Sequence, residues 1–224
     1  MSWLRRWDLW LLLASAGLFL AWPQLDLIAA GAWYVPGEGF VHRHDWWVQL
    51  SYLGFEHLHL YVFFGLLWLW LASRIWAAKA EVGLRRRLAF LLLVLLLGPG
   101  LLVNGVFKSE WGRARPHQVE DFGGTKHFSP ALVMTDQCER NCSFVSGHAS
   151  MGFFLIALAW VLRDRRWLWA GIALGALVGL GRMAQGGHFL SDVVFAFWSV
   201  YLTALLCARW LLGRWHIETG EKGD

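Results

Sequence analysis

The chain has 224 residues with a formal charge of +4, is 57% hydrophobic and only 16% charged, and has a mean hydropathy of +0.43. Ordinary soluble proteins are about 25% charged, so with 17 Trp and 15 Phe besides a soluble monomer could not cover its apolar surface, and the chain reads as an integral-membrane protein. Three Cys and five Pro also exclude a disulfide-dense miniprotein and a collagen-like repeat, and the mass of 25.6 kDa leaves room for one domain, residues 1–224.

A membrane span needs about 20 mostly apolar residues, and six such segments follow one another: 8–30 (interrupted by Pro23), 50–72, 88–107, 146–162, 167–185 and 189–212. Lipid leaves backbone groups no water to bond, so open-ended spans are helical. The expected fold is therefore all-α, a bundle of six transmembrane helices with its core in residues 88–212. Arg5 and Arg6 precede the first span. Arg74, Lys79, Arg85, Arg86 and Arg87 separate the second from the third, and Arg163, Arg165 and Arg166 the fourth from the fifth. Arg209 and Arg214 close the last. Positive charge at every second connection marks the cytoplasmic side; it is not gathered into a patch for nucleic acid, and none is expected as a partner. Trp7, Trp10, Trp46, Trp47, Trp111, Trp167, Trp169 and Trp215 fall near predicted helix ends, as in an aromatic belt. The run 11–21 behind Arg5-Arg6 has the outline of a cleaved leader but lacks a small-x-small site followed by a polar start, so an uncleaved first span with both termini inside is expected. The polar tail 218–224 is expected to fray. Gly98-Pro99-Gly100 is expected to kink the third helix.

This topology turns three connections outward: 31–49, the long loop 108–145, and the turn 186–188. Polar residues that fit poorly in a membrane protein gather in the last two. Lys108 and Arg115-Pro116 place a point charge and a planar fork at the exit of the third helix; headgroup snorkelling would explain either alone, phosphate binding explains both. Ser146-Gly147-His148 opens the fourth span. Ser146 can cap a helix whose free amides favour an anion, and His148 stands beside it. Arg182 is followed by His188 and Asp192, four apart on one helix face, so the carboxylate can fix the tautomer of the ring and leave its other nitrogen nucleophilic. Charge clamps, a nucleophile and a proton donor on one side of a membrane are what phosphoryl transfer requires.

Lys108-x6-Arg115-Pro116, Ser146-Gly147-His148 and Arg182-x5-His188-x3-Asp192 together resemble the three-part motif of the type-2 phosphatidic acid phosphatase superfamily. The superfamily usually has Pro where Val145 stands and Ser where Gly181 stands; the first departure is expected to alter a turn, the second to remove one phosphate hydrogen bond. The resemblance implies that His188 attacks phosphorus, that Asp192 orients it, and that His148 protonates the leaving group and then activates water. It also implies that Lys108, Arg115, Arg182, the Ser146 hydroxyl and the Gly147 amide hold the phosphate, with no metal or other cofactor. The implied protein is a lipid phosphatase of a bacterial inner membrane with its site facing the periplasm. Its candidate substrates are lipid A, undecaprenyl pyrophosphate and phosphatidylglycerol phosphate. The stretch from Asn141 to His148 and the cysteine-bearing loop resemble lipid A phosphatases of that superfamily. A lipid phosphotransferase using the same implied phosphohistidine at His188 and a non-enzymatic lipid transporter or scramblase are the alternatives.

The outward loop leaves other readings open. Cys138 and Cys142 lie on the oxidising side, as a disulfide or as two free thiols; zinc binding with His117 and His127 has no standard spacing to support it. Arg113, His117, Glu120, Asp121, Lys126 and His127 either touch a headgroup or form a solvated face. Glu56, His57 and His59 either line a substrate entrance or sit in the headgroup zone, and Cys207 reads as an inert packing residue.

Overall fold

A computed structural model describes residues 7–75 and 82–217; Arg5, Arg6, Lys79 and the tail 218–224 lie outside the described residues. The first apolar run is broken where Pro23 removes a backbone donor, giving α1 (Trp7–Ala21) and α2 (Gln24–Gly31) bent by 85°. A two-stranded hairpin follows, β1 (Tyr34–Val35) against β2 (Gly39–Phe40). The expected second span divides at His57 into α3 (Trp46–Glu56) and α4 (Leu58–Ile75). Next come α5 (Val82–Glu110), the loop to Ser146, α6 (Gly147–Leu162), α7 (Arg166–Ala184) and α8 (Leu190–Leu212).

The chain is a mostly helical, multi-pass membrane protein. Among the described residues four helices are long and apolar enough to cross a membrane, namely α4, α5, α7 and α8, or five if the bent α1–α2 pair is one span. The remaining expected span, the fourth in chain order, is α6, whose sixteen residues reach only about 24 Å at 1.5 Å per residue, against a hydrocarbon core of about 30 Å. The kink expected at Gly98-Pro99-Gly100 takes another form: the backbone is π-wound from Leu96 to Phe107, which accommodates Pro99 within one continuous helix.

α6 is the innermost element. Its Ala149, Phe153 and Ile156 pack with Phe144, Met183, Val193, Ala196 and Val200 in one buried cluster. The buried free thiol of Cys207 packs in a second cluster with Phe90, Ala157 and Trp160. In lipid there is no hydrophobic drive between helices, so close contact relies on small residues. On α7, a Cβ at Gly171 would lie 2.5 Å from the Ile156 backbone, and one at Gly175 would overlap the Phe153 ring. α4, by contrast, turns Tyr61, Phe64 and Trp68 outward as a lipid-facing surface. Gly175→Ala is therefore expected to cost about 1–3 kcal/mol by overpacking. Gly65→Ala on α4, where nothing lies within 4 Å, should leave the melting temperature in detergent at or above that of the parent.

Candidate active site

Arg113 organises the site. Gly112, at φ +66°, reverses the chain after α5 where any side chain would strike the carbonyl of Thr135. Arg113 is thereby directed inward and is fully buried. Its Nη2 donates to Asp26 Oδ2 at 2.8 Å, Nη1 to Asp192 Oδ1 at 2.7 Å and to Ser191 Oγ at 2.8 Å, and Nε to the Ser129 carbonyl at 2.9 Å. Its guanidinium lies 4.3 Å from the centre of the Phe189 ring. Asp26 also accepts from the Ser191 backbone and hydroxyl at 2.8 and 2.5 Å. Asp192 accepts from the Ser143 hydroxyl at 2.5 Å and the Phe189 amide at 2.8 Å. The sequence reading left Arg113 with the loop residues as a headgroup contact or a solvated face; the structure corrects both, because two buried carboxylates claim the guanidinium. Asp26 was missed as well, although an acid inside an apolar run is itself a signal for a buried partner.

The three predicted segments converge beside this network. Lys108 Nζ donates to Asn141 Oδ1 at 3.2 Å, and Arg115 Nη2 and Nε donate to the Asn141 carbonyl at 2.8 and 3.3 Å. Asn141, in a left-handed conformation at φ 51°, sits in the short loop closed by a Cys138–Cys142 disulfide with Cα atoms 5.6 Å apart. Both thiols are consumed by that bond, which removes the zinc and free-thiol readings. Ser146 caps α6, its Oγ accepting from the Ala149 amide at 3.4 Å. A Cβ on Gly147 would stand 2.9 Å from Asn104 Oδ1 and 3.0 Å from Lys108 Nζ, so glycine is what allows the lysine to close on the helix start. The turn after α7 folds Gly187 against the Arg182 side chain, where a Cβ would meet Nη2 at 2.7 Å.

His188 is fully buried, with Nδ1 3.4 Å from Asp192 Oδ2. Its two ring nitrogens, His148 Nε2 and Arg182 Nε are buried without a hydrogen-bond partner. Buried polar atoms are normally paired, and here four unpaired nitrogens belong to three predicted site residues. Burial, then the positive charges of Arg182, Arg115 and Lys108, hold His188 well below its ordinary pKa, opposed only by the Ser143 backbone. Its ring is therefore held neutral.

Tyr52 of α3 was not anticipated. Its ring stacks on His148 at 5.1 Å between centroids and 17° between planes, and the Arg182 guanidinium lies 4.8 Å from its centre. Its hydroxyl reaches Glu56 Oε1 at 3.5 Å. Nothing in the spacing of α3 distinguishes this aromatic from those of the belt. Two cavities flank the group. One, about 390 Å³, is lined by Phe55, Glu56, His59, Asn104, Lys108, Gly147 and His148; the other, about 290 Å³, by Arg43, Gln49, Tyr52, Arg115, His117, Arg182 and Gly187. Glu56 and His59 thus face the site, and His57 is exposed.

A family model for the PAP2 superfamily matches residues 87–216. The chain belongs to this superfamily, that of the type-2 phosphatidic acid phosphatases, and is a phosphatase, a hydrolase of phosphoric esters. Among curated proteins it is 41% identical over 194 residues to the lipid A 4'-phosphatase of Francisella tularensis subsp. novicida (strain U112), covering 83% of this chain and 85% of that protein. It is 34% identical over 226 residues to the lipid A 4'-phosphatase of Rhizobium leguminosarum, with 89% and 92% covered. A lipid A 1-phosphatase of Rhizobium johnstonii is 37% identical over 115 residues, about half of this chain. No solved structure matches it.

Removing one partner of a buried ion pair leaves the other charge uncompensated, at about 3–5 kcal/mol. Asp26→Asn is expected to lower the melting temperature and, with it, the yield of active protein; Arg113→Lys should not restore either, because an ammonium cannot bridge two carboxylates as the guanidinium fork does. Acid should also destabilise the fold. Below the ordinary histidine value of 6.5 the unfolded chain takes up a proton that buried His188 does not, so stability falls as the pH drops. The melting temperature of His188→Gln should vary less between pH 6.5 and 5 than that of the parent.

Proposed function

We propose that this lipid phosphatase hydrolyses a phosphate ester of lipid A through a phosphohistidine at His188. The observation that carries the reading is the meeting of three cations and two imidazoles from distant segments around buried nitrogens that lack partners. Lys108, Arg115 and Arg182 clamp the phosphoryl oxygens, with the Ser146 hydroxyl and the Gly147 amide as further donors. Because Nδ1 of His188 faces Asp192, Nε2 is the attacking atom. It forms the N–P bond as the P–O bond to the alcohol breaks, and His148, protonated once the phosphate's negative charge stands beside it, delivers that proton to the departing oxygen. His148, then neutral, takes a proton from water; the hydroxide attacks phosphorus, His188 departs, and inorganic phosphate is released. Asp192, held by Arg113 and Ser143, is a positioning residue.

Among the three substrate classes, lipid A is favoured by the names of the relatives similar over most of the chain. A periplasmic location of the site on a bacterial inner membrane is supported by the Cys138–Cys142 bond, since such bonds persist in oxidising compartments. In this reading α6, with the polar residues at its start, completes a six-span bundle.

The test is phosphate release by purified protein from lipid A, prenyl pyrophosphate and phosphatidylglycerol phosphate. His188→Ala is expected to abolish release while leaving the folded yield intact; near-normal turnover would remove it as nucleophile. His148→Ala should lose about 10²–10⁴-fold on an alkyl phosphate, the scale of general acid catalysis, and far less on an aryl phosphate, whose leaving group needs no proton. Phosphate recovered on an acceptor lipid, rather than free, would mark a transferase.

A further inference from the structure

The two cavities beside Tyr52 differ in which reacting groups they meet. The 390 Å³ cavity is walled by Lys108, Gly147 and His148, whereas the 290 Å³ cavity meets Arg115, Arg182 and Gly187, the residue that precedes buried His188 in the chain. In displacement at phosphorus the attacking and leaving atoms stand roughly in line on opposite sides. With His188 attacking and His148 protonating, the departing alcohol lies on the His148 side, in the larger cavity.

The chemistry of that wall limits what the alcohol can be. Beyond His148 and Lys108 it presents the Glu56 carboxylate, the His59 imidazole, the Asn104 amide and the Phe55 ring. Glu56 has one long contact to the Tyr52 hydroxyl at 3.5 Å, and a carboxylate has about four accepting positions. Glu56 disfavours a second anion at its end of this wall, where the nearest cation, Lys108, is taken up by the scissile phosphate, so a prenyl phosphate or glycerol phosphodiester leaving group meets like charge at Glu56. Hydroxyl groups, in contrast, donate to a carboxylate, and an aromatic ring covers the apolar face of a saturated ring. Phe55 is also shared with an apolar cavity of about 500 Å³ between α3 and α7, lined by Trp46, Leu50, Leu174 and Leu177. A polar ring seated at Glu56 therefore has apolar surroundings next to it for attached acyl chains.

We infer that this cavity is the subsite for the leaving alcohol and that it takes a sugar ring, with Glu56, His59 and Asn104 binding ring hydroxyls and Phe55 packing on its face. The inference rests on the phosphatase reading above and adds the residues that select the alcohol.

The experiment compares kcat/KM for a lipid A 4'-phosphate, carried on a sugar, with that for phosphatidic acid, carried on glycerol. Both are measured in mixed micelles with the full-length protein and with Glu56→Gln and His59→Ala. The parent should prefer the sugar-borne phosphate. The ratio of the two constants should fall about tenfold in each variant, the scale of one lost charged hydrogen bond, chiefly through KM. Because each ratio is taken within one protein, partial loss of folded material cancels. A parent without preference, or variants in which both constants fall together, would overturn the subsite and leave the phosphatase standing. A parent that releases phosphate from neither substrate would overturn the phosphatase reading itself.

Discussion

One guanidinium, buried among two carboxylates, one hydroxyl, one backbone carbonyl and the Phe189 ring, ties together segments far apart in the sequence. Arg113 links α2 through Asp26, the outward loop through Ser129, and the start of α8 through Ser191 and Asp192. A lone charge in such surroundings is prohibitively costly, so the arrangement is close to all-or-none: the partners assemble together or the fold does not close. Asp192 is the point at which this constraint reaches His188. Its carboxylate is fixed by Arg113, Ser143 and the Phe189 amide, and the ring of His188 stands against it.

The opposite charge balance holds a few ångströms away. Lys108, Arg115 and Arg182 lie near the imidazoles of His148 and His188, and the groups that touch them are neutral: the Asn141 side chain and carbonyl, the Gln185 amide and the Tyr52 ring. Neutral dipoles hold cations in place without cancelling their field. An anion entering the site therefore meets uncompensated positive charge, while the neighbouring network has its charges already matched. The protein keeps its structural and its ligand-directed electrostatics on adjacent but separate groups.

The legibility of these features follows from how local each one is. Lys108, Arg115, Ser146, Gly147, His148, Arg182, His188 and Asp192 can be read from spacing, because each lies beside another of its kind on one loop or helix start. Asn141 and Tyr52 cannot: an asparagine in a polar loop and a tyrosine in an aromatic-rich helix look ordinary until the fold brings them to Arg115 and His148. Arg113 is misleading in sequence, since its neighbours Lys108 and Arg115 invite reading all three as one exposed basic cluster, and only Gly112 betrays the reversal that sends it inward. The helical class follows from hydropathy. The number of spans does not, because apolar runs fail to register the break at His57 or the shortness of α6.

The bent α1–α2 pair has a consequence for biogenesis. Asp26 leaves the ribosome first, yet its partners Arg113 and Ser191 lie 87 and 165 residues further along. Until Arg113 and then Ser191 have been made, that carboxylate lacks the partners that match it in the folded protein. The amino-terminal segment therefore completes its contacts only once the start of α8 is available, although it is synthesised long before it.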